Sequence, residues 1–418
     1  MVEYNTQKNP GSLPADFGFN PNYRETLQKY PSLFPSTPSE QAPDLIAYVD
    51  PKFKMPQVWR SNLNVDIQLP YDFMLSVGAM YTRDIYNVAQ INMNEAEPTG
   101  VYNEQPDRIY WASKKYEYND YTNGKNVVVK LSNGEDKGYQ YSFNAILTKK
   151  YDFGFTGSIG YTYTMAKDLT ANPGSAPNSA WQNNVAVNSL NDPGVSYSLF
   201  STPHRIIANA SYEINYAKCL KTTFSLFYSG YHTGRYSYTY YNDMNGDGNY
   251  SDLIYVPNSQ DEMTFVDITD KSGAITYSAV DQAKDFWDFV NNDSYLKDRK
   301  GKYVERNGSL TPWINRFDFK IAQDFYATLG GRKYGIQVSL DMLNVGNMIN
   351  SKWGAYQSCG LKSYDNVQLL KTASKVGEPL TYQINANSRE AFKERSSWQY
   401  TNTIGSAWSM QLGVKVTF

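Results

Sequence analysis

Trp408-Ser-Met-Gln-Leu-Gly-Val-Lys-Val-Thr-Phe418 decides the fold. Trp408, Met410, Leu412, Val414, Val416 and Phe418 fall on one side of a two-residue repeat. Ser409, Gln411, Gly413, Lys415 and Thr417 fall on the other. A helix would scatter both sets around its circumference, whereas a strand sends successive side chains to opposite faces. Upstream, Phe153, Phe155, Gly157, Ile159, Tyr161, Tyr163 and Met165 alternate with Gly154, Thr156, Ser158, Gly160, Thr162 and Thr164 in the same way. The alternation places nine strands near 57–69, 72–86, 138–150, 152–166, 204–216, 219–232, 313–327, 332–345 and 405–418.

Eight of the nine pair into hairpins, with turns near Tyr71, Tyr151, Lys218 and Gly330-Gly331. The Gly-Gly pair suits a two-residue turn whose central residues both need φ > 0. Folding the chain about Lys218 sets Ile206 opposite Gly230, Ala208 opposite Tyr228, Ala210 opposite Leu226 and Tyr212 opposite Phe224. Folding about Gly330–Gly331 sets Phe325 opposite Ile336, Ile321 opposite Leu340 and Phe319 opposite Met342. Apolar faces match in each case, as a sheet with one apolar face requires.

The remaining connections, 87–137, 167–203, 233–312 and 346–404, are long. Tight turns at one end and long loops at the other describe a transmembrane β-barrel with short periplasmic turns and longer extracellular loops. The fold class is therefore all-β, an antiparallel transmembrane barrel, with the cell outer membrane as its location. The strands exceed the ~9–11 residues that cross a bilayer, so they are expected to project above it. Nine is odd, while bacterial single-chain barrels have even counts, and the direction of the ninth strand calls for an ascending strand before residue 57. The chain thus reads as the C-terminal part of a larger barrel (57–418), preceded by a proline-rich, irregular extracellular segment over 1–56. The first residues carry neither the basic nor the apolar run of a signal peptide, so either the protein is cytoplasmic or its natural beginning lies upstream.

Composition agrees once the strands are recognised. The 37 tyrosines sit beside a mean hydropathy of −0.58 because alternation leaves no window uniformly apolar. No run approaches the length of a transmembrane helix. Lys plus Arg (39) nearly balance Asp plus Glu (41), which leaves no electrostatic footprint for nucleic acid. Two cysteines exclude a disulfide scaffold.

Four stretches carry a resemblance. Ser201-Thr-Pro-His-Arg-Ile-Ile-Ala-Asn-Ala210, Asp243-Met-Asn-Gly-Asp-Gly-Asn-Tyr-Ser-Asp-Leu-Ile-Tyr-Val-Pro257, Trp313-Ile-Asn-Arg-Phe-Asp-Phe-Lys-Ile-Ala322 and Asp341-Met-Leu-Asn-Val-Gly-Asn-Met-Ile-Asn-Ser-Lys-Trp-Gly354 resemble, in order and spacing, TonB-dependent receptors of Bacteroidota. The nearest subgroup is the Oar-like receptors with a carboxypeptidase-regulatory-like domain. The resemblance implies a barrel of about 22 strands around a plug, of which this chain carries nine. It further implies TonB-energised uptake of a metal chelate, vitamin, glycan or peptide, with TonB–ExbB–ExbD acting through a plug. The last strand, from Trp408 through Met410, Leu412, Val414 and Val416 to Phe418, is then the signal read by the barrel assembly machinery. The competing reading of Phe418 is an interfacial aromatic.

Individual constellations yield sharper expectations. Asp243, Asn245, Asp247 and Gly248 match the first half of an EF-hand calcium loop, with Asn249 and Asp252 as further ligands. Ile254 stands where the bidentate Glu belongs, and an Asx-rich turn is the competing reading. No other cofactor is required. Arg235, Tyr236, Tyr238, Tyr240 and Tyr241, with Trp181, are candidate ligand contacts, against loop packing as the alternative. His204 and His232 face each other across a hairpin and read as rim aromatics rather than a metal pair. Cys219 and Cys359 lie at opposite ends of the barrel and are not expected to bond. Ala283, Phe286, Trp287 and Val290 mark an amphipathic helix within 281–300, expected over the barrel mouth. No catalytic set is present, and no enzyme activity is expected. The alternative function is a secreted or surface β-protein that binds glycans through Tyr and Trp.

Overall fold

The computed structural model describes residues 13–18, 20, 22–31, 45–118, 127–217, 219–250, 252–359, 362–363, 366–385, 392, 398–401 and 403–418. Two units emerge. Within the smaller one (1–44 with 119–126), a short helix, Tyr23–Lys29, is capped by Asn22, whose side chain accepts from the Arg24 N–H. The larger unit carries everything else.

Its frame is one antiparallel sheet of nine successive neighbours: β1 (Gln57–Leu69), β2 (Phe73–Tyr86), β3 (Tyr139–Lys150), β4 (Phe155–Asp168), β5 (His204–Tyr216), β6 (Leu220–His232), β7 (Trp313–Leu329), β8 (Arg332–Leu343) and β9 (Ser409–Thr417). All nine expected strands are present, and the folded registers agree. Ile206 pairs with Gly230 and Tyr212 with Phe224, while Phe325 pairs with Ile336 and Phe319 with Met342. Turn chemistry explains the hairpins. Gly330 (φ 59°) and Gly331 (φ 80°) both occupy the left-handed region that a two-residue turn demands. Tyr71 (φ 59°) and Asp72 (φ 57°) adopt it without glycine. The expected turn residue Lys218 lies outside the described residues, beside Ala217 at φ 51°.

The two faces of the sheet differ in chemistry. Leu63, Val77, Ala145, Ile159, Ala208, Leu226, Phe319, Leu340 and Leu412 share the outer face through consecutive register pairs. Many are exposed, Leu412 by 72%, which is the wall of a protein solvated by lipid. The opposite face is polar and ion-paired. Lys320 Nζ lies 2.8 Å from Asp341, Arg316 Nε 3.3 Å from Asp318, and Lys221 Nζ 3.6 Å from Asp324. Aromatic side chains concentrate at both ends of the outer face: Tyr151, Phe153 and Tyr212 near the tight turns, and Tyr161, Tyr163, His204 and Trp313 at the loop end. This is the girdle pattern of outer-membrane barrels.

The long connections do not run as bare loops. They fold together into a cap with its own core. A six-stranded sheet joins Thr264–Phe265, Thr381–Ile384, Asn366–Thr372, Arg235–Tyr240 and Ser309–Leu310 in that order, with Lys362–Ser363 on the side. Helix α1 (Ala279–Asn292) packs against it with Gln282, Phe286, Phe289 and Val290 buried. Its buried stripe is the i, i+4, i+7, i+8 face, so Trp287 falls outside it, under the Lys300 ammonium 4.4 Å from the ring centre. The irregular reading of 1–56 also changes in part. Leu45–Val49 is a strand paired in parallel with Val127–Ser132, because Leu-Ile-Ala-Tyr-Val finds a partner the local sequence does not show.

The two faces generate a direct comparison. Leu147, between Leu75 and Ile159 on the outer wall, and Thr148 on the inner face are sequence neighbours. Leu147→Arg is expected to cost about 2–4 kcal/mol of folding stability in a bilayer, and Thr148→Arg much less. Urea titration of the intact protein in liposomes measures both, and equal costs would refute the assignment of faces.

Candidate functional site: the extracellular cap

The cap is organised around Arg108, a fully buried guanidinium. Its Nη1 lies 3.6 Å from Asp252 Oδ1, its Nε donates to Gln105 Oε1 at 3.2 Å, and its remaining N–H groups donate to the carbonyls of Val187 and Leu253. The planar cation also covers the Tyr303 ring at 4.7 Å. One side chain thereby ties three of the four long connections. Arg306 makes a second tie, at 3.0 Å from Asp168 at the end of β4.

Asp243, Asn245, Asp247, Asn249 and Asp252 form a tight loop beside Arg108. Asp243 accepts from the N–H groups of Gly246 (2.8 Å) and Gly248 (2.9 Å). Asn245 accepts from Asp247 (3.0 Å), Asp247 from Asn249 (2.7 Å), and Asp252 from Met244 (3.0 Å). Gly246 and Gly248 sit at φ 82° and 96°, which the turn requires. Among the described residues there is no group of three or more His, Cys, Asp or Glu side chains arranged to hold a metal. The side-chain oxygens named here accept from backbone N–H groups, as in an Asx-rich turn. Burial, reinforced by the neighbouring carboxylates, pushes the Asp247 carboxyl well above the usual carboxylate range. Burial pushes Asp252 up to about 7 against the opposing pull of Arg108.

The aromatic ligand candidates are placed by the same core. Tyr236, Tyr238 and Tyr240 are buried on a strand flanked on both sides, Tyr238 donating to Asp293 at 2.7 Å and Tyr240 accepting from Gln105 at 2.9 Å. Arg235 is buried over the Tyr197 ring at 4.3 Å and donates to the Asn307 carbonyl at 3.1 Å. These four are packed inside the cap rather than on its surface. Only Tyr241, at the strand's end, remains exposed. His204 bonds Tyr161 at 2.7 Å and His232 stands edge-on to Trp313 at 5.0 Å, each as a rim aromatic. Cys219 is exposed and Cys359 buried, and the two are not joined in a disulfide.

Trp181 is buried too, yet it borders a cavity of about 480 Å³ formed by connections 87–137 and 167–203. The lining mixes amides (Gln90, Asn133, Asn184, Asn191), carboxylates (Glu135, Asp136, Asp192) and Lys130 over an apolar base that includes Leu169 and Leu190. Its walls are fixed by hydrogen bonds. Trp181 Nε1 donates to Asn191 Oδ1 at 3.0 Å, Asn191 Nδ2 to Glu95 at 2.6 Å, and Asn133 Nδ2 to the Asn87 carbonyl at 2.8 Å. Burial raises the Glu95 carboxyl while Ser189 and Asn191 hold it down. A preformed polar cavity with excess carboxylate suits a ligand rich in hydroxyl or cationic donors. Apart from Trp181, sequence reading missed these residues. The turn-forming runs Asn133-Gly-Glu-Asp136 and Asn191-Asp-Pro193 are their only local signal.

Two outcomes follow for the cap. Arg108→Met strands the buried Asp252 and is expected to cost the cap about 3–5 kcal/mol, read as faster amide exchange in 233–312 with the barrel strands unchanged. A carboxyl with its folded pKa above the unfolded value near 3.8 favours the protonated folded state. That stability is fully present below the unfolded value and is lost as pH climbs through the folded one. Cap protection, corrected for intrinsic exchange rates, should therefore be greater at pH 5 than at pH 8, and Asp247→Asn should flatten the dependence.

Comparison with known proteins is consistent with this architecture. No curated protein and no solved structure matches the chain. The outer membrane beta barrel domain family matches residues 2–355, most of its length. The lipid-facing wall, the polar inner face and that match together make this chain a member of the outer membrane beta barrel domain family, located in the outer membrane.

Proposed function

We propose that the chain is the C-terminal part of a TonB-dependent receptor and not an enzyme. Its extracellular cap takes up a hydroxyl- or amine-rich nutrient for transport through the lumen. The observation that carries the reading is directional. Among the described residues, β1 and β9 are the two edges of an open sheet of nine antiparallel strands, so they run the same way. Pairing them directly would be parallel, and a second copy placed edge to edge would meet in parallel as well. Antiparallel closure needs an odd number of further strands. The complement that the receptor resemblance implies, about 13 of 22, is odd. The resemblance of residues 201–210, 243–257, 313–322 and 341–354 to Bacteroidota receptors of the Oar-like subgroup supports the same reading. In it, TonB–ExbB–ExbD supply the work through a plug, and the barrel assembly machinery receives β9. The outward residues of that strand, Met410, Leu412, Val414 and Val416, and the terminal Phe418 are all strongly exposed.

Uptake of haem, cobalamin, oligosaccharides and peptides by cells with and without the gene identifies the cargo. One of them should depend on the gene and stop when a protonophore collapses the inner-membrane gradient. Uptake that persists without the gradient would make the barrel a passive pore. Within the cap, Glu135→Lys with Asp192→Lys reverses two exposed charges of the cavity and should reduce uptake of that cargo about 10-fold with the protein level unchanged. Deleting Phe418 should lower the amount of assembled barrel and leave uptake per molecule intact.

A further inference from the structure

A second concave surface lies outside the cap, on the lipid side of the extracellular rim. It is a groove of about 520 Å³ between the upper end of β7 and the segment that follows β8. Trp313, Asn315 and Phe317 form one wall, Trp353 and Tyr400 the other, with Lys352 at its margin. Trp313 pairs with His232 on the last rung of β6–β7, so the groove lies at the loop end of the outer face. Trp313, Asn315 and Phe317 lie on the outward parity of β7, continuous with Phe319 and Ile321 lower on the same wall.

The groove is built rather than incidental. Helix α2 (Val345–Ile349) lies against β7, with Gly346 buried between Trp353 and Phe317 at ordinary contact distance. Asn344, fully buried at φ 53°, turns the chain out of β8 and donates to the carbonyls of Gly354 (3.2 Å) and Ser406 (3.0 Å). Polar groups on the β7 wall are satisfied internally. Asn315 Oδ1 accepts from Tyr228 Oη at 2.7 Å and from Trp313 Nε1 at 3.0 Å. Met348 (49%), Ile349 (75%) and Trp353 (53%) are exposed around it. In water this would be a costly patch. At the lipid boundary it is an extension of the apolar belt. Lys352 is exposed, with its ammonium 5.9 Å from the Tyr400 ring centre, and is the one charged side chain of the groove's lining.

We infer that this groove is a specific site for an anionic lipid of the outer leaflet, holding one acyl chain between Trp313, Phe317 and Trp353 and its phosphate against Lys352. The inference is independent of cargo and of TonB, since it uses only the outer wall.

The intact protein, extracted from outer membranes and placed in nanodiscs of phosphatidylcholine doped with phosphatidylglycerol, is examined by native mass spectrometry for retained lipid. Wild type should keep phosphatidylglycerol in preference to phosphatidylcholine. Lys352→Gln, an exposed change that leaves packing intact, should reduce that preference about 5-fold. Trp353→Ala should lower retention of both lipids, while Trp353→Phe, which keeps the ring, should restore it. Ile159→Ala, elsewhere on the wall, should change nothing. An unchanged preference in Lys352→Gln, or equal loss in Ile159→Ala and Trp353→Ala, would overturn the site and leave only non-specific boundary lipid.

Discussion

Everything in the molecule depends on the pairing of backbone N–H and C=O groups along nine adjacent strands. In hydrocarbon an unpaired peptide group has no water to turn to, so each strand must be matched rung by rung along its spanning length. This demand explains why four of the connections between the strands are tight turns. Gly330 and Gly331, Tyr71 and Asp72, and Ala217 take left-handed conformations so that the ladder restarts without slipping. A slip of one residue would turn Leu340 and Phe319 into the lumen and present Asp341 and Lys320 to lipid.

A sheet locked in this way delivers its long connections to one end, and there the governing physics changes. Water is available, so loops can bury polar groups if each finds a partner. The cap does so around Arg108, whose charge, fork geometry and planar face are all used at once: by Asp252, by the Val187 and Leu253 carbonyls, and by Tyr303. The tyrosines that make the chain so aromatic divide between two duties. Some, such as Tyr161 and Tyr163, belt the rim; others, such as Tyr236, Tyr238 and Tyr240, are core residues whose hydroxyls find buried partners.

Concave surfaces occupy the places these two regimes leave open. The polar cavity beside Trp181 lies in the cap, and the aromatic groove beside Trp353 lies on the outer face. Their chemistry is opposite because their solvents are opposite: amides and carboxylates in one, rings and a single lysine in the other.

How much of this was legible beforehand follows from the range of the interactions. The strands, hairpin registers, apolar face and tight-turn end were readable from Trp408–Phe418 and its counterparts, because period-two alternation and turn chemistry are local properties. The Asx-rich turn at 243–252 was equally local. The cap was not: Arg108 meets Asp252, and Tyr240 meets Tyr382, across long stretches of chain whose own patterns give no hint of the partner. Burial of Arg235, Tyr236, Tyr238 and Tyr240, the cavity lining and the lipid-side groove were therefore decided only by tertiary structure. By itself the sequence determined the wall, since lipid imposes a repeating rule on every strand; only folding decided the sites, since they arise where non-repeating segments converge.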